Sequence, residues 1–316
     1  MDFPNLSELF AKADIARRES VGDVVYLRAL IEFSNNCRCN CLYCGLRRDN
    51  GAIARYRMED GEILAAAREA ALDGADTIVL QSGEDPAYHR DHIAALVGKI
   101  KDETGLAVTL SVGDRSTQSY RLWKEAGADR YLLKHETSDP ELYARLHPGE
   151  SLEKRLNALR RLRDLGYETG TGFIIGLPGQ TEETLRSDVR LVAELEAEMC
   201  GVGPFVPQHD TPLAGQPAGS VETTLHTVSM LRITSPRLNL PATTALASLV
   251  PEQGHQLALR AGANVIMPSY TPLKYSTDYS IYDGKTKIEM RRAKEHIAAA
   301  GRRCSRDTSG KPEAAQ

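Results

Sequence analysis

Short apolar runs alternate with amphipathic helical stretches along most of this chain, and that rhythm confines it to a parallel α/β fold. Eight runs recur, at 26–33, 77–81, 107–112, 130–134, 169–177, 200–207, 239–244 and 264–268. Helical periodicity fills the gaps, most clearly at 59–72, 92–101, 152–165, 182–196 and 222–233. Eight such units predict a closed (β/α)8 barrel of the TIM type, a fold that commonly takes about 250 residues. A length of 316 residues with 41% hydrophobic content therefore requires no second core. The expected layout is a polar helical extension over 1–21, the barrel over 22–285, and a C-terminal helix with a disordered tail over 286–316, the tail starting at about Cys304.

Charge narrows the function. A formal net charge of -4 gives no electrostatic footprint for nucleic acid, and no apolar run approaches the roughly 20 residues that span a bilayer. The expected ligand is a small molecule inside a water-soluble enzyme. Barrels of this kind build their sites at the C-terminal ends of the strands, so polar groups that end an apolar run are the candidates.

The first strand ends in such a group. Cys37, Cys41 and Cys44 place three thiols within eight residues of one loop, the ligand set of a 4Fe-4S cluster left one cysteine short. A cluster used only for electron transfer normally has four cysteines, so three leave one iron free to bind a small molecule. The competing reading, a zinc knot that adds Cys39, fits the spacing poorly, because structural zinc ligands come as two separated pairs. Cys39 is read as a bystander whose side chain points away from the site. Cys200 and Cys304 are isolated, and six cysteines in 316 residues without a secretory leader do not make a disulfide framework. Oxygen-sensitive thiolates and the lack of a leader lead to an expected cytoplasmic location.

The spacing Cys-x3-Cys-x2-Cys resembles the hallmark of the radical S-adenosylmethionine (SAM) enzymes. That resemblance implies SAM on the fourth iron and its reductive cleavage to a 5'-deoxyadenosyl radical. It also implies that Tyr43 lies near cluster and adenine, with ordinary packing as the competing reading, and that the turn Gln81-Ser82-Gly83-Glu84-Asp85 receives the amino group of SAM. The segment Gly176-Leu-Pro-Gly-Gln-Thr181 recurs in that superfamily after the fifth strand, where Thr181 is expected to cap a helix. Glu136 follows Tyr131-Leu-Leu-Lys-His135, and an acid there would be costly without a cationic or hydroxyl partner. Tyr279 and Tyr282, three residues apart, are read as a lid over one mouth of the barrel.

Taken together, Ile31-Glu-Phe-Ser-Asn-Asn-Cys37, Cys41-Leu-Tyr-Cys-Gly-Leu-Arg-Arg-Asp-Asn50, residues 77–86, residues 124–137, Gly203-Pro-Phe205 and Pro241-Ala-Thr-Thr-Ala245 resemble the HydE family of FeFe-hydrogenase maturases. The resemblance runs from about residue 22 to 285. It implies cofactor contacts from Tyr43, Ser82, Ser111, Glu136, Arg155, Met199, Tyr279 and Tyr282, and substrate contacts from Thr109, Lys134, Thr243 and Thr244. The implied substrate is a small iron-cysteine carbonyl/cyanide precursor of the hydrogenase H-cluster, with other maturases and an electron donor as partners. Many family members carry a second cysteine cluster motif near the C-terminus, and this sequence has only Cys304 there. Three other readings stay open: methylornithine synthase, which rearranges the carbon skeleton of lysine; sulfur insertion of the biotin synthase kind; and a non-enzymatic iron carrier.

Overall fold

The computed structural model describes residues 6–306. After α1 (Ser7–Val21) the chain runs β1 (Val24–Ser34), α2 (Asp60–Leu72), β2 (Thr77–Ser82), α3 (Arg90–Thr104), β3 (Ala107–Ser111), α4 (Thr117–Glu125), β4 (Arg130–Leu132), α5 (Pro140–Leu146), α6 (Leu152–Asp164), β5 (Glu168–Ile175) and α7 (Glu182–Glu194). It continues through β6 (Met199–Pro204), α8 (Val221–Thr234), α9 (Thr244–Leu249), α10 (Gly254–Arg260), β7 (Val265–Ile266), α11 (Leu273–Ser276), α12 (Met290–Ala299) and β8 (Arg303–Cys304). Helix starts are set by local chemistry. Glu59 and Glu62 form a capping box on α2, and the hydroxyls of Ser116, Ser151, Thr181 and Ser220 accept N–H groups in the first turns of α4, α6, α7 and α8.

Seven strands pair in parallel in the order β6-β5-β4-β3-β2-β1-β7. The ring closes through the stretch after α8: bridges join Met199 to Asn239 and Pro241 to Val265, with Cys200 N–H donating to Asn239 O at 3.0 Å and Ala242 N–H to Val265 O at 2.8 Å. The seventh expected strand is therefore present only as these two bridges. Pro241 has no N–H to extend a ladder, and the chain turns at Thr243 into α9. β8 pairs with the first residues of β1, so Cys304 is at the N-terminal end of the barrel. The remainder of the expected tail, beyond residue 306, and residues 1–5 of the expected N-terminal helix lie outside the described residues. No helix among the described residues is long and apolar enough to cross a membrane.

Alternation along the strands separates two environments. On β1, Leu27, Ala29, Ile31 and Phe33 belong to the core beneath the helices, which leaves Arg28, Leu30, Glu32 and Ser34 toward the barrel axis. On β3, Val108 and Leu110 face outward in the same way, and Thr109 and Ser111 face the axis. The floor of the barrel is a polar layer. Arg130 Nε meets Glu168 Oε2 at 2.6 Å, Asn239 donates to Glu168 Oε1 at 3.2 Å, and Arg28 Nη1 packs on Met199 Sδ at 2.6 Å. Above the floor the wall thins to glycine on β5 and β6. A Cβ on Gly201 would meet nothing nearer than Thr171 O at 4.0 Å, so open space begins at that level.

Candidate active site

The loop after β1 is fixed by side chains that replace missing secondary structure. Arg55 donates to four carbonyls, those of Asn35, Leu46, Arg47 and Asn50, at 2.7–3.1 Å. Asn35 donates to Ala54 O and Asp278 O and accepts from Tyr56 N–H. At the turn after β2, a Cβ on Gly83 would fall 2.3 Å from Asn36 O and 2.8 Å from Cys37 Cβ, so only glycine lets that turn touch the cysteine loop. Its neighbour Glu84 donates its N–H to Cys37 Sγ at 3.4 Å.

Cys37, Cys41 and Cys44 lie together at the C-terminal mouth. Burial, followed by repulsion from Cys44 and Cys37, pushes the Cys41 thiol well above its usual range. Burial and Cys37 push Cys44 up to about 12. Cys37 is pulled down, first by the thiol of Cys39 and then by the N–H groups of Cys39 and Glu84, against the effect of burial. Among the described residues no three Cys, His, Asp or Glu side chains converge on a single ion. A cubane asks for no such convergence, because its cysteines bind separate corners. Three half-buried thiols that feel one another, with Arg155 and Arg55 favouring the thiolates of Cys41 and Cys44, form a chemically suitable cradle for a 4Fe-4S cluster.

Polar groups from the inner strands join this loop. Glu136, just beyond β4, has φ +65° and sets Oε2 3.2 Å from Lys134 Nζ, the cationic partner that its burial requires. Its charge is felt at Cys41, Cys44 and Tyr43. Arg155, from the first turn of α6, donates to Tyr143 Oη at 3.1 Å and lies 3.7 Å from Glu84. Tyr43 is hydrogen-bonded to His147 Nε2 at 2.8 Å. Tyr279 is buried and accepts from Gln81 Nε2 at 3.3 Å. Ser82 Oγ is turned onto Gly83 O at 2.7 Å, and Ser111 ends β3. Thr109 and Thr243 each carry a buried Oγ1 with no protein partner. Tyr282 lies beside Ser248 and Glu32.

Two expectations are corrected. Met199 is the first residue of β6, against Arg28 and under Gly170, so it helps form the floor and is remote from the cysteine mouth. Cys39 does not point away. The chain bends at Arg38, and the bend returns the Cys39 amide and thiol to Cys37 and Glu84. Thr244 opens α9 behind Thr243, with its carbonyl accepting from Ser248 Oγ.

Glu32 and Lys285 escaped sequence reasoning, whereas Glu84 lies in the turn that it singled out. Glu84 is held at once by Arg38 (2.9 Å) and by Asp114 N–H (2.8 Å). Glu32, fully buried on β1, pairs with Lys285 at 2.6 Å. That lysine ends a strap, residues 278–285, which crosses the mouth: Ile281 O accepts from Gly45 N–H and Asp283 N–H donates to Pro207 O, both at 3.0 Å. No local signal links Glu32 to a lysine so distant in sequence, although an acid inside an apolar strand does call for a partner.

Comparison with known proteins agrees with this geometry. A family profile described as the Radical SAM superfamily matches residues 31–192. The chain is 54% identical over 277 residues to the [FeFe] hydrogenase maturase subunit HydE of Thermotoga maritima, covering 88% of this chain and 79% of that protein. It is 32% identical over 280 residues to the 3-methylornithine synthase of Methanosarcina barkeri, covering 88% and 79%. Among solved structures, a methylornithine synthase superposes with a TM-score of 0.86 at 28% identity, covering 98% of this chain and 92% of that one.

Proposed function

This chain belongs to the radical SAM superfamily, in its HydE group of FeFe-hydrogenase maturases, and we propose that Cys37, Cys41 and Cys44 hold three corners of the 4Fe-4S cluster that the superfamily uses. When bound, such a cluster would supply one electron for the reductive cleavage of SAM to methionine and a 5'-deoxyadenosyl radical. The protein's own residues then have separable tasks. Glu136 receives the ribose and amino group of SAM, Arg155 compensates the thiolate loop, and Tyr43, braced by His147, shields it from water. Tyr279 and the strap cover the mouth.

Below this mouth, Thr109, Lys134 and Thr243 would bind the substrate. A small iron-cysteine carbonyl/cyanide complex suits them, since Lys134 can meet a carboxylate and the two unpaired hydroxyls can donate to cyanide nitrogen. Other maturases would supply and remove it, and an external one-electron donor would recharge the cluster. The observation that carries the reading is the joining of two features at one mouth: the thiol loop after β1, where Glu84 N–H reaches Cys37 Sγ at 3.4 Å, and the inner-wall pair of Glu136 with Lys134 at 3.2 Å.

The test is anaerobic. Reconstituted, dithionite-reduced protein should cleave SAM to 5'-deoxyadenosyl products. Co-expression with the other maturases and a hydrogenase, in a host that lacks its own copy of this protein, should restore hydrogen evolution. Conversion of lysine to methylornithine in vitro, with no hydrogenase activation, would replace the maturase reading by the rearrangement enzyme.

A further inference from the structure

We infer that His135 and Asp188 are positioning residues: together they hold Glu136 in a left-handed backbone conformation and so aim its carboxylate into the barrel. The inference rests on the reading of Glu136 as a SAM contact. Glutamate has a Cβ that opposes φ +65°, and such residues persist only where the surroundings over-determine them.

Here the surroundings are specific. Glu136 N–H donates to Gly172 O and its carbonyl accepts from Ile174 N–H, at 2.9 and 3.1 Å, so the strained residue is stitched to β5 on both sides. On the outer face of the barrel the flanking residues are tied to α7. Asp188 Oδ1 accepts Ser138 N–H at 2.5 Å and lies 3.6 Å from His135 Nε2. His135 Nδ1 meets Thr171 Oγ1 of β5 at 2.8 Å. The side chains of His135 and Asp188 are both 0% exposed. Gln180 extends the tie, donating from Nε2 to Ile174 O at 2.8 Å and toward Asp188 Oδ2 at 3.5 Å, and accepting Gly176 N–H.

Outside the barrel, Asp188 therefore holds Ser138, two residues beyond Glu136, by its N–H, and His135, the residue before Glu136, is anchored on Thr171 with its Nε2 facing Asp188 at 3.6 Å but not hydrogen-bonded to it, while the carboxylate emerges inside. Neither touches the cysteine loop in any hydrogen bond or ion pair. A purely structural pair would brace α7 against the sheet, but the grip falls on the one inner-wall residue with strained backbone.

The experiment separates these roles with a double-mutant cycle. Asp188→Ala should keep its iron content yet weaken SAM binding, read by EPR titration of the reduced cluster, by about 10-fold, the scale expected when a contact is displaced by a fraction of an ångström. Asp188→Asn, which keeps an acceptor for Ser138 N–H, should lie between it and the wild type, and it serves should Asp188→Ala fail to fold. In a Glu136→Gln background the Asp188 substitutions should add less than about 2-fold. Unchanged SAM affinity in the Asp188 variants, or a full additional loss in the Glu136→Gln background, would overturn the inference. A second arm does not depend on SAM. Glycine tolerates φ +65° without strain, so Asp188→Asn should lower the denaturation midpoint less in a Glu136→Gly background than in the wild type, and equal shifts overturn the clamp. If Glu136→Gln alone leaves SAM affinity intact, it is the SAM contact that fails, and the clamp is decided by this second arm.

Discussion

A thiol next to another thiol is a poor acid, and this loop brings several together. Cys41 and Cys44 resist ionisation, first through burial and then through neighbouring thiols, Cys44 and Cys37 acting on Cys41 and Cys37 acting on Cys44, whereas Cys37 is drawn toward the thiolate by donors from Cys39 and Glu84. Iron would relieve the repulsion by neutralising all three sulfurs, so each is expected to be indispensable: Cys37→Ala, Cys41→Ala or Cys44→Ala should abolish the cluster, measured as iron per chain and the EPR signal after anaerobic reconstitution. Cys39→Ala should keep it, because the cradle already has its three thiols. Equal loss from Cys39→Ala would mean a four-thiolate site. The position of Cys39 was not legible in the sequence. Spacing alone cannot tell an extended segment from one bent at Arg38, and the bend decides which way the side chain turns.

Elements with strong internal signals were the legible ones. β1, β2 and β3 are apolar runs bounded by polar turns, and the expected start of α7 at Thr181 agrees with its observed cap. The missed helix α4 is polar over most of its length and buries only Ser119, Tyr120 and Trp123. Its useful signal was Ser116, whose hydroxyl accepts Ser119 N–H. The helices α10 and α12 carry a pH-sensitive contact. His255 is pushed down to about 4, chiefly by burial and then by His296, whose ring lies 5.5 Å away. The unfolded chain titrates near 6.5, so above that pH both states are neutral and the contact is fully stable. As pH falls below 6.5 the unfolded state takes up a proton that the folded state refuses. Stability is then lost down to about pH 4, by up to about 3 kcal/mol. Denaturant titrations of the apo-protein at neutral and mildly acidic pH should show this loss, and His255→Phe should flatten it. An undiminished loss in His255→Phe would place the acid sensitivity elsewhere.

For the whole molecule, the barrel is filled at its floor and hollow above it, and that contrast yields a direct test of where the substrate sits. Gly201 faces open space and has no strained backbone. Gly201→Val should therefore fold, load iron and bind SAM much as the wild type does, while losing hydrogenase maturation because its methyl groups occupy the cavity. Full maturation activity in that variant would put the substrate elsewhere. The strap has a different consequence, one of timing. Gly45, one residue past the last cysteine, is latched by the carbonyl of Ile281, and a Cβ there would strike Ser280 O at 2.0 Å. During synthesis the cysteine loop leaves the ribosome long before this latch exists. A chain still lacking residues 278–285 would leave its thiols under an uncovered mouth, and the strap can close over them only once that later segment has been made.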